Sequence, residues 1–317
     1  MSLTSVALSV VISLCLLVQP DWLAPVSIVP AWCWLLPGLM LAGLGFCRES
    51  KRRFVTVLVL WCLFTAVFVE EARSLLGVGS LPSETWIQAH QNGRGIRVVS
   101  LNCAGNVDSL QEIAKWKPDI VLLQESPGST DVAQFAQELF GDQGKFLYGH
   151  DTSIIAAGKI ISHAHHLNSR FVHAEVELLS GLQLDVVSLR LSPPVFRLDF
   201  WTPGFWIDHR NKRIKHREQI SDLMQHLETV SVAGPIIIGG DFNSPPHDAA
   251  MTAMRPRLHD TFSKAGCGWG ATGTSEYPLF RVDQIWASQE FRAASVTAQK
   301  TVHSDHRAVI CDLVILD

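Results

Sequence analysis

The apolar run Ile236-Ile237-Ile238 ends in two glycines and then presents an acid and an amide, Asp241 and Asn243, two positions apart. In extended chain, alternate residues share a face, so both side chains can enter one pocket while Phe242 points away. Phosphoryl chemistry can use such a pair. The carboxylate can orient or deprotonate an attacking water, and the amide can donate to a phosphate oxygen. Alone, a strand followed by Gly-Gly-Asp is an ordinary turn. Its company changes the reading: Asn102 closes the run Arg97–Leu101, and Gln124-Glu125 closes Ile120–Leu123. Val282-Asp283-Gln284-Ile285-Trp286 and Ser304-Asp305-His306 also set polar groups at or near the end of an apolar run. Five such ends would converge on one rim of a sheet, a usual place for a site. Glu125 beside Asp305 and Asn102 supplies the hard oxygen ligands that Mg²⁺ or Mn²⁺ prefers.

Those ends need strands and helices to hold them. Ile96–Leu101 reads as a strand, and Asp108 with Gln111 as a capping box opening a helix that runs through Trp116 and stops at Pro118. Val132–Phe140 and Lys215–Thr229 read as helices; Ile120–Leu123, Ile154–Ala156, Ala174–Leu178, Leu184–Leu191 and Pro235–Ile238 read as strands. The alternation argues for the α/β class.

In this order and at these spacings, Leu101-Asn102, Gln124-Glu125, Gly240-Asp241-Phe242-Asn243, Asp283-Gln284-Ile285 and Ser304-Asp305-His306 resemble the motifs of the endonuclease/exonuclease/phosphatase superfamily, over about Ile96–Leu316. The resemblance implies an α/β four-layer sandwich of two packed β-sheets flanked by helices, and metal-dependent hydrolysis of a phosphoester. It also implies roles. Glu125 would be the principal metal ligand with Asn102 and Asp305 nearby, Asp241 would position or activate water, and Asn243 would hold the phosphate. Asp283 would orient His306 through one imidazole nitrogen and leave the other facing the phosphate. One position departs. Where many members end a strand in Asn-Thr-His-Leu, this chain has Val187-Ser188-Leu189-Arg190-Leu191. Arginine cannot act as a proton-donating acid, although it can stabilise a developing oxyanion. Partial loss of activity is the competing explanation, and a catalytically silent, membrane-tethered binding or scaffold domain is the alternative function.

The 317 residues are 47% hydrophobic, with mean hydropathy +0.19, and the excess lies in the first 70. Leu3–Val18, Val26–Phe46 and Phe54–Val69 contain no charge and read as three membrane spans, the outer two short of the roughly 20 residues that cross comfortably. A buried helical hairpin and a signal peptide are the alternatives, the latter lacking a basic n-region. Trp22, Trp32 and Trp34 fit an interfacial belt. Arg48, Lys51, Arg52 and Arg53 against an Asp21 loop without basic residues set the N-terminus inside. That makes an integral membrane protein whose catalytic domain, 95–317, is extracytoplasmic, reached through a linker over Glu70–Arg94 with room for one short helix.

The formal charge of −4 argues against gripping long nucleic acid by global electrostatics. A local basic stretch remains: Arg210, Lys212, Arg213, Lys215 and Arg217 with His209 and His216, just after Phe200, Trp201, Phe205 and Trp206. It reads either as a surface for nucleic acid, phosphoinositide heads or membrane, or as a solvated helix start. His163, His165 and His166 read as a surface loop, and the seven cysteines show no metal-ligand spacing. The expected partner is a phosphoester substrate, nucleic acid or a phospholipid-like or small phosphodiester.

Overall fold

The computed structural model describes residues 2–46, 51–165, 170–230, 232 and 234–316. Its strands are β1 (Gly95–Asn102), β2 (Ile120–Gln124), β3 (Gly144–Tyr148), β4 (Thr152–His165), β5 (Phe171–Leu178), β6 (Gln183–Arg190), β7 (Ile236–Asp241), β8 (Leu258–Asp260), β9 (Asp283–Ser288), β10 (Phe291–Gln299) and β11 (Ala308–Ile315). Its helices are α1 (Ser2–Val18), α2 (Ala24–Ile28), α3 (Leu35–Phe46), α4 (Lys51–Phe68), α5 (Glu70–Ser74), α6 (Ser83–Gln91), α7 (Asp108–Ile113), α8 (Ser129–Phe140), α9 (Pro203–Thr229) and α10 (Thr261–Ala265).

Among the described residues all eleven strands join in one mixed sheet, ordered β10-β11-β1-β2-β4-β5-β6-β7-β9-β8 with β3 beside β4. β1 and β2 are parallel, as are β6 and β7. The two separate sheets expected from the resemblance are thus one sheet, curled on itself, because β4 is long enough to serve both halves. Its first part pairs with β2 and β3, and from Gly158 onward it pairs with β5. Gly158 has φ +147°, and a Cβ there would lie 2.0 Å from the Glu177 carbonyl oxygen, so the corner requires glycine. The halves meet face to face, burying Val98, Ile120 and Leu122 with Val186, Ile237 and Ile285. α7 and α8 cover one outer face through Leu110, Ile113, Val132 and Phe135, and α9 covers the other through Ile220, Leu223 and Leu227. Helix, half-sheet, half-sheet and helix form the layers.

Ahead of this body, α1, α3 and α4 pack as a bundle around Ile12, Leu16, Ala42, Val57, Trp61 and Phe64. The indole of Trp61 donates to Ser5 Oγ at 3.0 Å, and Ser5 donates to the Gly38 carbonyl at 2.8 Å. Three straight spans are not what forms. Among the described residues no single helix is long and apolar enough to cross a membrane, and the second run passes only as a pair, Asp21–Ile28 with Ala31–Gly45, bent by 84°. Pro30 is the cause: it lacks an N–H, and Val29 before it is extended at ψ 130°. α4 begins with the three charges Lys51, Arg52 and Arg53. Arg48 of the expected basic loop lies outside the described residues, as does His166, and the side chains of His163 and His165 are likewise outside them.

The stretch expected as a linker is folded down instead. α5 and α6 both lie within it; Gly268 N–H donates to the Ser74 carbonyl at 2.9 Å and Leu81 N–H to the Ala294 carbonyl at 2.7 Å. Arg281 clamps Glu70 and Asp260 together at 2.8 and 2.6 Å.

Candidate active site

Neighbouring strands bring the acids to one rim. Asn102 ends β1, Glu125 follows β2, Arg190 ends β6 and Asp241 ends β7, while Asp283 opens the antiparallel β9 and His306 precedes β11. The register sets Arg190 opposite Asp241, and Asp241 opposite Asp283. Two turns are unusual: Glu125 has φ +42° and Asn243 φ +50°, left-handed conformations that a glutamate rarely adopts and that concentrate at functional sites. Gly240, at φ +147°, is obligatory, since a Cβ would lie 1.9 Å from the Leu189 carbonyl oxygen.

Two amides hold the acids. Asn102 Nδ2 donates to Glu125 Oε1 at 3.1 Å and to Asp241 Oδ2 at 3.2 Å. Asn243 Nδ2 donates to Asp241 Oδ2 at 2.9 Å and to the Leu191 carbonyl at 3.0 Å. Both amide hydrogens of Asn243 are therefore committed, and the expected donation to a phosphate would break one of these bonds. Asn102 likewise bridges acids, and its carbonyl accepts from Ala104 N–H at 3.0 Å.

Arg190 lies among three carboxylates. Its Nη2 donates to Glu125 Oε1 at 2.7 Å, its Nη1 to Asp151 at 3.1 and 3.3 Å, and its Nε, buried without a hydrogen bond, is 4.0 Å from Asp241. Asp151 was not anticipated from the sequence. Its only local signal is the turn Gly149-His150-Asp151 before β4, and its role comes from the strand pairing that brings β4 beside β2.

His306 Nδ1 is 2.8 Å from Asp283 Oδ2. Burial alone would lower this imidazole, but the charge and hydrogen bond of Asp283 prevail and hold it up to about 10. Burial, reinforced by the charge of Asp283, pushes Asp241 up to about 7 against the opposing pull of His306. Asp283 Oδ1 is buried with no hydrogen-bond partner, and Asp241, Asp283 and His306 each offer a ligand atom within 4.8 Å of the others. An orphaned carboxylate oxygen beside the Asp241 carboxylate fits a divalent cation such as Mg²⁺ or Mn²⁺. Asp305 is exposed beside His306, and its carboxylate makes no hydrogen bond to the described residues.

Part of the basic stretch on α9 turns inward, while Arg210 and Lys215 stay exposed. Arg213 is buried, pairs with Asp248 at 2.8 Å, and donates to the carbonyls of Gln19 and Pro20 at 3.2 and 3.3 Å and to Ser27 Oγ. Arg217 pairs with Asp21 at 2.6 Å, and His216 is buried 2.7 Å from the Ser192 carbonyl. Those cations hold the loop after α1 against the segment that follows Asn243.

A family profile described as the endonuclease/exonuclease/phosphatase family matches residues 99–306. No curated protein matches the chain. Among solved structures, an endonuclease/exonuclease/phosphatase family protein from Bacteroides thetaiotaomicron aligns at 13% identity and TM-score 0.55, over 70% of this chain and 98% of its own. Truncated Caenorhabditis elegans TDP2 aligns at 18% identity and TM-score 0.52, over 70% and 98%. A mannosyl-6-phosphatase from Bacteroides thetaiotaomicron aligns at 15% identity and TM-score 0.51, over 69% and 100%. Identities this low establish the shared fold alone. The profile, however, spans roughly two thirds of the sequence and every strand end described above, and the chain belongs to the endonuclease/exonuclease/phosphatase family.

Proposed function

We propose that the chain hydrolyses a phosphodiester with the help of Mg²⁺ or Mn²⁺, and that the substrate is phospholipid-like and met at a membrane surface. The observation that carries the chemistry is the buried cluster of Asp241, Asp283 and His306, with one Asp283 oxygen that no hydrogen bond satisfies. Glu125 and Asp283 would hold the cation, which when bound offsets charge on the phosphate and on the leaving oxygen. Asp241, fixed by both amides, orients the attacking water and takes its proton. His306, protonated and steered by Asp283, donates to a phosphate oxygen. Arg190 faces the charge that develops on the leaving group, the part that an acid would otherwise play.

Two observations favour a lipid-like substrate over nucleic acid. Arg213 is buried in an ion pair with Asp248 and Arg217 is paired with Asp21, which withdraws two of the five cations of the basic stretch from a phosphate backbone. Phe196, Leu198, Phe200 and Trp201, shortly after Arg190, are each more than 60% exposed. The bundle supports the same surface. Leu14, Leu17, Leu36, Met40, Val59 and Leu63 are each more than half exposed around it, and helices apolar on their outer faces as well as within call for lipid or protein cover. In this reading the bundle lies in the bilayer, Lys51, Arg52 and Arg53 face the cytoplasm, and the catalytic domain is extracytoplasmic.

The test is hydrolysis of phospholipid vesicles and of plasmid DNA by the full chain, each with Mg²⁺ and with chelator. Metal-dependent lipid cleavage that Glu125→Ala and His306→Ala both abolish is expected. DNA cleavage without lipid cleavage overturns the substrate class. Hydrolysis left unchanged by both substitutions, with partner binding intact, establishes the scaffold alternative. A reporter fused after Asp317 that is active only in the cytoplasm overturns the topology.

A further inference from the structure

A cavity of about 580 Å³ separates the bundle from the catalytic body, on a surface to which none of the active-site residues contributes. Its lining is basic on balance. Arg73, Arg255 and Lys264 line it, and none of the three has a carboxylate partner among the described residues. The fourth cation, Arg281, is neutralised by Glu70 and Asp260, so the lining carries a surplus of positive charge. Where the bundle ends the lining is apolar: Leu17 and Val18 end α1 and Val67 lies near the end of α4, each more than 60% exposed.

That apolar part of the lining continues beyond the cavity. Leu14 is three and four residues before Leu17 and Val18, and Leu63 is four before Val67, so each pair shares a helix face, and both leucines are more than half exposed. A track of apolar side chains therefore leads from the basic cavity along the flank of the bundle. A phosphate group at one end with hydrocarbon at the other matches this arrangement, and the volume falls in the range of pockets that take small ligands, roughly 300 to 1,000 Å³.

The geometry points to a binding site for one anionic phospholipid, its phosphoryl headgroup between Arg73, Arg255 and Lys264 and its acyl chains along Leu14–Val18 and Leu63–Val67. The site rests on the membrane placement proposed above. Its effect is to fasten the catalytic body to the bilayer at a fixed height, because both walls must be in place for the lipid to touch each.

The test uses the full chain in nonionic detergent, titrated with short-chain phosphatidylglycerol, short-chain phosphatidylcholine or inorganic phosphate, with the melting temperature as readout. Phosphatidylglycerol should raise it at concentrations where the other two do not. In Arg73→Gln/Lys264→Gln the half-saturating concentration should rise about tenfold. Arg255 is left intact because it also holds the Pro246, His247 and Asp248 carbonyls. A distant charge-matched control on the catalytic body, Lys117→Gln/Arg292→Gln, should behave as the unmodified chain does. Equal shifts with phosphatidylcholine, an equal shift with inorganic phosphate, or an unaltered titration in the Arg73/Lys264 variant each overturn the site. A chain that stays dispersed in water without detergent refutes the membrane placement and the lipid with it. A chain that embeds in bilayers yet shows no anionic preference refutes the lipid site alone.

Discussion

Arg190 joins three acids that would otherwise repel one another, and it can do so only because a guanidinium forks. Glu125 and Asp151 take different nitrogens, while Nε points toward Asp241. An ammonium at the same place carries its three donors on one nitrogen and lacks the planar fork that reaches the acids from separate atoms. Arg190→Lys is therefore expected to lower kcat by about a hundredfold, with KM changed far less, if the group meets charge that develops only in the transition state. Steady-state kinetics on the identified substrate decide this, and an unchanged kcat would make Arg190 a structural clamp. Asp283 acts by a different route, since it holds His306 by one oxygen and leaves the other unsatisfied. In Asp283→Asn the anion that favours the protonated ring is gone, so the His306 pKa should fall from about 10 toward its ordinary 6.5, read by NMR titration of the metal-free chain. The same variant should lose most of the melting-temperature rise that Mn²⁺ gives the unmodified chain, which at a hundredfold excess over Kd corresponds to about 2.7 kcal/mol. A Mn²⁺ shift that survives the substitution would remove Asp283 from the metal-binding set.

At the scale of elements, α9 both roofs one half-sheet and buries His216. Burial pulls this imidazole down to about 4 from its ordinary 6.5, although its bond to the Ser192 carbonyl opposes the shift. With the folded pKa below the unfolded one, falling pH protonates the unfolded chain first. The contribution is complete above about 6.5 and declines as the pH approaches about 4, by up to roughly 3 kcal/mol. Urea unfolding across that window should show the decline, and His216→Gln should flatten it; equal slopes would mean that other groups govern the acid limb. Which elements could be read in advance follows from how local their causes are. Asn102, Glu125, Asp241, Asp283 and His306 were legible because each ends or opens a short apolar run, a pattern contained within about six residues. The helix after β1 was legible, but not its cap. It begins at Asp108 with Asn106 Oδ1 taking the Asp108 N–H at 3.0 Å, rather than with Asp108 capping toward Gln111. The single curled sheet was hidden because β4 beyond Gly158 passes through Lys159 and Ser162, which show no buried alternation. Asp151 was hidden because only strand pairing makes it an active-site neighbour. Composition likewise saw an apolar run from Val26 to Phe46 and could not weigh what Pro30 does to its path.

At the scale of the molecule, the first 80 residues and the catalytic body interlock through buried charge. Arg213 and Asp248 have side chains 0% and 1% exposed, and Arg213 is closed off by Gln19, Pro20 and Ser27 from the loop after α1. Asp248 also caps the turn at Ala249–Ala253, so the pair ties that loop to the segment that leaves Asn243. The cost of breaking it should depend on whether the loop is present. In the full chain Arg213→Ala leaves a carboxylate buried and unpaired, which typically costs about 3 to 5 kcal/mol. A chain that begins at Ser83 keeps α6 and the whole sheet but opens the same pair to water, where an exposed ion pair contributes about 0 to 1 kcal/mol. The substitution should therefore be severe in the long form and nearly silent in the short one, a difference of at least roughly 2 kcal/mol measured by urea unfolding of all four proteins. Equal costs in both forms would mean that the N-terminal elements merely rest on the catalytic body. A large difference would mean that the N-terminal elements and the loop that carries Asn243 are stabilised together, so that loosening one loosens the other.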